Sequence, residues 1–285
     1  MTSRPPYPGP ARAAAQAPAL AVLGDADAPR HAVVLAPVMP RWDHGAFFRQ
    51  VAEPLLTSGH RITIYDTLSL LRDGDDLKAL VDRWAQYLAP DDGASCGAPA
   101  PVAPDVLAGN ALGGAVAQAL LAQEWTHRAR VLLLSGPTVA DDELNTKLER
   151  VAAAVGDQGL SAALHLLEDV VRGPGRQATS DAPAHSGPAR PQPPSLDEEL
   201  AGWRLSAGLR LLRDADVREP VREFPGPLLH IYGEQSLLVQ RKHLATGPGS
   251  QHRLVGIPQA GMRPHADQPT LTKDAVARFL GAEES

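Results

Sequence analysis

The chain has 285 residues, 44% hydrophobic and 21% charged, which excludes wholesale disorder and allows a substantial core. A net charge of −6 argues against a nucleic-acid partner, and a single cysteine, Cys96, excludes a disulfide-stapled class. No apolar run reaches the roughly 18 residues of a membrane span, so a cytoplasmic protein with no membrane partner is expected.

The first 17 residues, rich in Pro and Ala, read as a flexible tail rather than a signal peptide. Leu20 to Leu23 reads as a short edge strand, and His31 to Ala36 as a buried strand rich in β-branched residues. Helical periodicity follows over Phe47 to Ser58, stopped by Gly59, and a strand over Arg61 to Tyr65. Leu77 to Leu88 is amphipathic and helical, and residues 89–104 form a Pro/Gly/Ala linker. Asp105 to Ala108 is a strand running through Gly109 into a helix from Leu112 to Gln123, and Arg130 to Ser135 is the next strand. Asp141 to Val171 and Leu196 to Leu212 are helical, separated by a Pro/Gly/Ser-rich loop over 173–194 that is expected to be mobile. Pro227 to Tyr232 and Arg253 to Ile257 are strands, and Leu271 to Leu280 is a closing helix. Strands alternating with helices imply an α/β fold with a mostly parallel sheet covered on both faces. The domain reading is a core of residues 18–138 and 214–285, interrupted by a helical insertion over 139–213 at the carboxyl ends of the strands.

The densest motif is Asp105 to Gly114, DVLAGNALGG. Small residues frame a strand-to-helix turn whose tip residue would project into a site, as in the G-x-S-x-G nucleophile elbow. Here the frame is Gly109, Asn110, Ala111, Leu112 and Gly113, so the tip is Ala111. With the segments Pro227 to Val239 (PLLHIYGEQSLLV) and Ile257 to Pro269 (IPQAGMRPHADQP), this order of motifs resembles the α/β-hydrolase superfamily over roughly residues 20–280. The resemblance implies an α/β-hydrolase fold with a helical lid over 139–213. It also implies catalytic positions that are not filled in the usual way. Ala111 stands at the nucleophile position, Ser236 at the acid position and Met262 at the histidine position. The usual His-Gly of the oxyanion loop is Ala36-Pro37, so the implied backbone donors are the N–H of Leu112 and one from Val38 or Met39. Pro37 and Pro40 have no N–H to offer.

An acyl-enzyme route needs a nucleophile and a base that can take its proton, and neither alanine nor methionine supplies these. The residues left to move a proton are His265, on the loop of Met262, and His44. Trp42, Asn110, Ala111 and Met262 are candidate substrate-lining residues, while Asp43 reads as a helix N-cap. Asp141 to Glu143 read as the acidic start of a helix, with Asp141 a displaced acid as the alternative. No metal-ligand spacing and no phosphate-binding glycine motif is present, so no metal or cofactor is expected. The expected ligand is a small molecule, and a homodimer or a partner biosynthetic enzyme are both compatible with the chain. The expected function is a non-hydrolytic lyase, cyclase or isomerase of a small carbonyl compound. The Ala-, Pro-, Gly- and Arg-rich composition suggests bacterial specialised metabolism. The alternatives are an inactive small-molecule-binding or scaffold protein, and a residual hydrolase using a base-activated water.

Overall fold

A computed structural model describes residues 17–90, 103–172, 195–248 and 251–281. The tail ahead of Ala17, most of the 89–104 linker with Cys96, and the loop over 173–194 lie outside the described residues. The strands are Leu20–Leu23 (β1), Arg30–Leu35 (β2), His60–Tyr65 (β3), Val106–Asn110 (β4), Arg130–Leu134 (β5), Leu228–Gly233 (β6) and His252–Ile257 (β7). They form a 7-stranded sheet in the order β1-β3-β2-β4-β5-β6-β7, with β1 antiparallel to β3 and every other pairing parallel.

Alternate side chains of each strand go to opposite faces, and both faces are buried. On one face Ala32, Val34, Ile62, Ile64, Ala108 and Leu132 pack with Phe48, Val51, Leu55, Val276 and Phe279. The last five come from the turn before α1 (Arg49–Thr57), from α1 itself and from the closing helix Pro269–Gly281. On the other face Val33, Leu35, Leu107, Val131 and Leu133 meet Leu80 and Trp84 of α2 (Leu77–Leu88) and Leu112, Val116 and Leu120 of α3 and the turn that continues it. Helix α3 spans Leu112–Ala119 and passes into a 3-10 turn at Leu120–Ala122, so the expected helix to Gln123 is helical in two registers. The helix expected over Phe47 to Ser58 likewise opens as a 3-10 turn, Ala46–Phe48, held by the Asp43 carboxylate.

Between β5 and β6 lie α4 (Asp142–Gln158), α5 (Leu160–Arg172) and α6 (Leu196–Leu211). The sequence predicts one helical stretch from Asp141 to Val171. The break falls at Gly159, whose φ of 88° is a conformation side chains rarely adopt. Asp141 caps α4 by accepting from the Leu144 N–H, and a Ser195–Glu198 capping box opens α6. Two short helices have no counterpart in the sequence reading, α7 (Arg218–Glu223) and α8 (Pro264–Asp267). They are too short to show a helical period. The closing helix is α9. Among the described residues no helix is long and apolar enough to cross a membrane, and no group of His, Cys, Asp or Glu is arranged to hold a metal ion.

Candidate active site

The site is built around the junction of β4 and α3. Strand β4 runs through Gly109 and Asn110 rather than ending at Ala108, and Ala111 then turns the chain at φ 49°, ψ −112°. Alanine adopts this region only against a steric cost of about 1–3 kcal/mol, so the surroundings must impose it. They do so through backbone contact. A Cβ on Gly113 would lie 2.0 Å from the Leu35 carbonyl oxygen, and one on Gly109 would lie 2.2 Å from that of Gly113. A Cβ on Gly114 would come within 2.8 Å of the Gly136 Cα. The ends of β2 and β4, the first turn of α3 and the loop after β5 therefore interpenetrate with no room for side chains. The Ala111 N–H donates to the Leu134 carbonyl at 3.0 Å, and Ala115 donates back to the Ala111 carbonyl. The buried Gln118 amide of α3 donates to the Gly114, Gly136 and Pro137 carbonyls and accepts from the Thr138 hydroxyl, fixing the loop beside the turn.

Ala111 faces a cavity of about 710 Å³. Asn110, Met262 and His265 line it on the sheet side, with Pro37 to Arg41 from the loop after β2. The opposite wall comes from the insertion: Leu144 and Leu148 of α4, Leu164, Leu167 and Val171 of α5, and Leu209 of α6. Most of this lining is apolar.

The three positions singled out in the sequence are reached by different loops. The turn after β6 and the loop after β7 press together at glycines, since a Cβ on Gly233 would lie 1.9 Å from the Gly261 oxygen. This brings the buried Ser236 hydroxyl to 3.7 Å from the Met262 sulfur. Ser236 also accepts from the Leu238 N–H, as a turn serine does. The Met262 N–H donates to the Val171 carbonyl, pinning this loop to α5.

His265, on α8, is 4% exposed and lines the cavity. Its Nδ1 is buried with no hydrogen-bond partner among the described residues. Burial, and then the nearby Arg263 cation, lower its pKa to about 4, so the ring is neutral at pH 7. His44 and Trp42 do not share the cavity. His44 is exposed, sits at φ 54° and faces Trp42 at 6.2 Å between ring centroids. Trp42 packs against the core on the α1 side of the sheet. His44 and Gly45 both sit at positive φ, while Asp43 before them and Ala46, Phe47 and Gln50 after them line the cavity. Asp43 lines it, but its carboxylate accepts from the N–H groups of Gly45, Ala46 and Phe47 at 2.8, 3.2 and 2.9 Å, which leaves it a cap.

The Leu112 N–H, at the first position of α3, has no intrahelical acceptor by geometry. Val38 and Met39 lie on the loop opposite. That loop is held from two sides. Thr67 donates to the Ala36 carbonyl at 2.7 Å. Arg204 of α6 donates from Nε to the Met39 carbonyl at 3.1 Å and from Nη2 to both Asp66 oxygens at 2.8 and 2.9 Å. Asp141 does not line the cavity. Burial acts to raise its pKa, but Lys242, the Leu144 N–H and His243 outweigh that and hold its carboxyl well below the usual range.

Sequence reasoning missed the polar residues at the rim: Arg41, His165, Glu168 and Arg263. The apolar period of α5 shows which face is buried, but not that His165 and Glu168 flank a cavity.

No protein-family model matches the chain, and no curated protein sequence does. Solved structures do match it in fold. A hydrolase from Pseudomonas aeruginosa PA01 is 20% identical with a TM-score of 0.67, covering 92% of this chain and 93% of that one. An alpha/beta hydrolase enzyme from a Medee basin deep-sea metagenome library is 14% identical with a TM-score of 0.67, covering 92% and 94%. A bromoperoxidase from Bacillus anthracis is 16% identical with a TM-score of 0.63, covering 92% and 94%. The fold is the α/β-hydrolase fold, and at these identities the likeness extends to the fold alone.

Proposed function

We propose that this chain is a non-hydrolytic enzyme on an α/β-hydrolase scaffold, a lyase, cyclase or isomerase acting on a small carbonyl compound by acid–base chemistry. On this reading Ala111, Ser236 and Met262 are a triad that has lost its nucleophile, acid and base. Helices α4 to α6 serve as the lid. The observation that carries the reading is His265: a neutral imidazole with its Nδ1 unpartnered, lining the same cavity as the strained turn. A buried polar group without a partner costs about 1–3 kcal/mol, and a ligand group that bonds it recovers that cost.

The substrate carbonyl oxygen sits against the Leu112 N–H and an N–H of Val38 or Met39. These donors stabilise negative charge on oxygen whatever side chain stands at 111. His265 takes a proton from the carbon next to the carbonyl; that C–H electron pair forms a C=C bond and the carbonyl π pair moves onto the oxygen as an enolate. Returning the proton to a different carbon isomerises the compound, and expelling a neighbouring leaving group makes the step a lyase reaction. The apolar walls exclude water, which disfavours hydrolysis.

The contact between Ser236 and Met262 favours a second reading, a binding protein without turnover, because it places an apolar surface where a proton relay would run. One experiment separates the two. The purified protein and its His265→Gln variant are incubated with a metabolite extract of the source organism and every species is followed by mass spectrometry. A compound converted at unchanged mass, or with loss of a small fragment, by the wild type and not by the variant supports the enzyme. Equal turnover by the variant removes His265 from the mechanism. A gain of water indicates hydrolysis by a base-activated water, and a compound retained unchanged supports the binding protein.

A further inference from the structure

We infer that the cavity selects ligands whose apolar body ends in an anion, a carboxylate or a phosphate, gripped at the mouth by Arg41 and Arg263. The inference rests on the reading of this cavity as the substrate site. The charged groups among its lining residues are Arg41, Asp43, Glu168 and Arg263, and of these the two arginines are exposed. With Arg172, which shares Glu168, three guanidinium groups stand against two carboxylates at this edge of the cavity. The Asp43 carboxylate is taken up by three backbone N–H groups. Glu168 is shared between Arg172 at 2.7 Å and Arg263 at 3.2 Å, two cations on one carboxylate. Arg41 is exposed and makes no ion pair among the described residues.

The mouth therefore carries a surplus of one positive charge on a chain whose net charge is −6. A local reversal of sign at the entrance of a low-dielectric cleft concentrates anions there. Guanidinium groups offer paired donors that match a carboxylate or phosphate edge. Nothing comparable would receive a cationic head group, because both carboxylates at the rim are already engaged.

The test uses the full chain and four probes sharing one alkyl chain: decanoate, decyl phosphate, decanol and decyltrimethylammonium. Affinities are measured by isothermal titration calorimetry for the wild type, for Arg41→Gln and for Arg41→Gln/Arg263→Gln. The wild type is expected to bind the two anions up to about fivefold tighter than decanol, the upper range for a partly exposed ion pair. Their relative affinity then says whether carboxylate or phosphate fits better. Arg41→Gln is expected to shrink that preference, and the double variant to abolish it, with decanol binding unchanged throughout. Added salt should weaken decanoate and leave decanol alone. Equal binding of decanol and the anions, tighter binding of the cation, an unchanged preference in the double variant, or no binding of any probe would overturn the proposal. An anion preference in the wild type together with equal turnover by wild type and His265→Gln removes only the proposed chemistry, so the two failures are distinguishable.

Discussion

The burial of His265 has a thermodynamic signature that can be read without knowing the substrate. In the unfolded chain a histidine titrates near the model value of 6.5, and in the fold this ring titrates at about 4. Between those values the unfolded state binds a proton that the folded state refuses. The contribution is thus fully present above pH 6.5, is lost as pH falls toward 4, and changes little below that. At about 1.36 kcal/mol per pKa unit, the full window is worth about 3 kcal/mol, of which about 2.5 kcal/mol is lost between about pH 7.5 and about pH 4.5. His60, His230 and His252 are also lowered, chiefly by burial, and carboxylates titrate in the same range. Those contributions are common to wild type and variant, so the difference of differences isolates one ring. Urea unfolding of the wild type and of His265→Gln at the two pH values gives it directly. The wild type should lose about 2.5 kcal/mol more than the variant on acidification. Equal losses would mean that the ring is not held neutral by burial, and the reasoning that makes it an unpartnered base in the cavity would fail. For a turnover assay the same shift places the acid limb of kcat/KM near pH 4 rather than near 6.5.

The wild type should not be labelled by a fluorophosphonate probe, nor should Ala111→Ser alone, because Met262 cannot activate the new hydroxyl. Ala111→Ser/Ser236→Asp/Met262→His should be labelled, and mass spectrometry of the intact protein reads each case. Gly113→Ala should cost at least about 3 kcal/mol, the upper end for forcing a methyl into a packed interior, since its Cβ meets backbone rather than a movable side chain. An unchanged urea midpoint would refute that packing. Arg204→Met should cost about 3–5 kcal/mol by leaving the Asp66 charge buried and unpaired. Adding Asp66→Asn should recover most of the loss, and a loss under about 1 kcal/mol in the single variant would show the pair to be solvated.

The positions of the strands and the turn at Ala111 were legible because they rest on local signals. Small residues at 109, 113 and 114 announce a close approach of backbones, and the β-branched runs announce buried strands. The meeting of Ser236 with Met262 was legible only as an order of motifs, because it depends on Gly233 and Gly261 pressing two distant loops together. Trp42 and His44 were misdirected for a local reason. Trp42 packs on the α1 side of the sheet and His44 is exposed at a positive φ, while their neighbours Asp43, Ala46 and Phe47 line the cavity, and a histidine gives no sequence warning that it will adopt such a backbone. The rim residues His165, Glu168 and Arg263 could not be found from pattern, since a charged residue beside a cavity and one on an open face look alike along the chain.

The turn at Ala111 has a further consequence. Its backbone path is dictated by four chain segments that have no space to relax, so the direction of the Cα–Cβ bond at 111 does not depend on the group attached to it. Strain usually discussed as a device of catalysis is here a property of the scaffold's weave. Position 111 is in effect a socket. Any side chain small enough for the cavity will be presented from the same point and along the same line, and chemistry can be removed from that point or installed there without redrawing the chain around it.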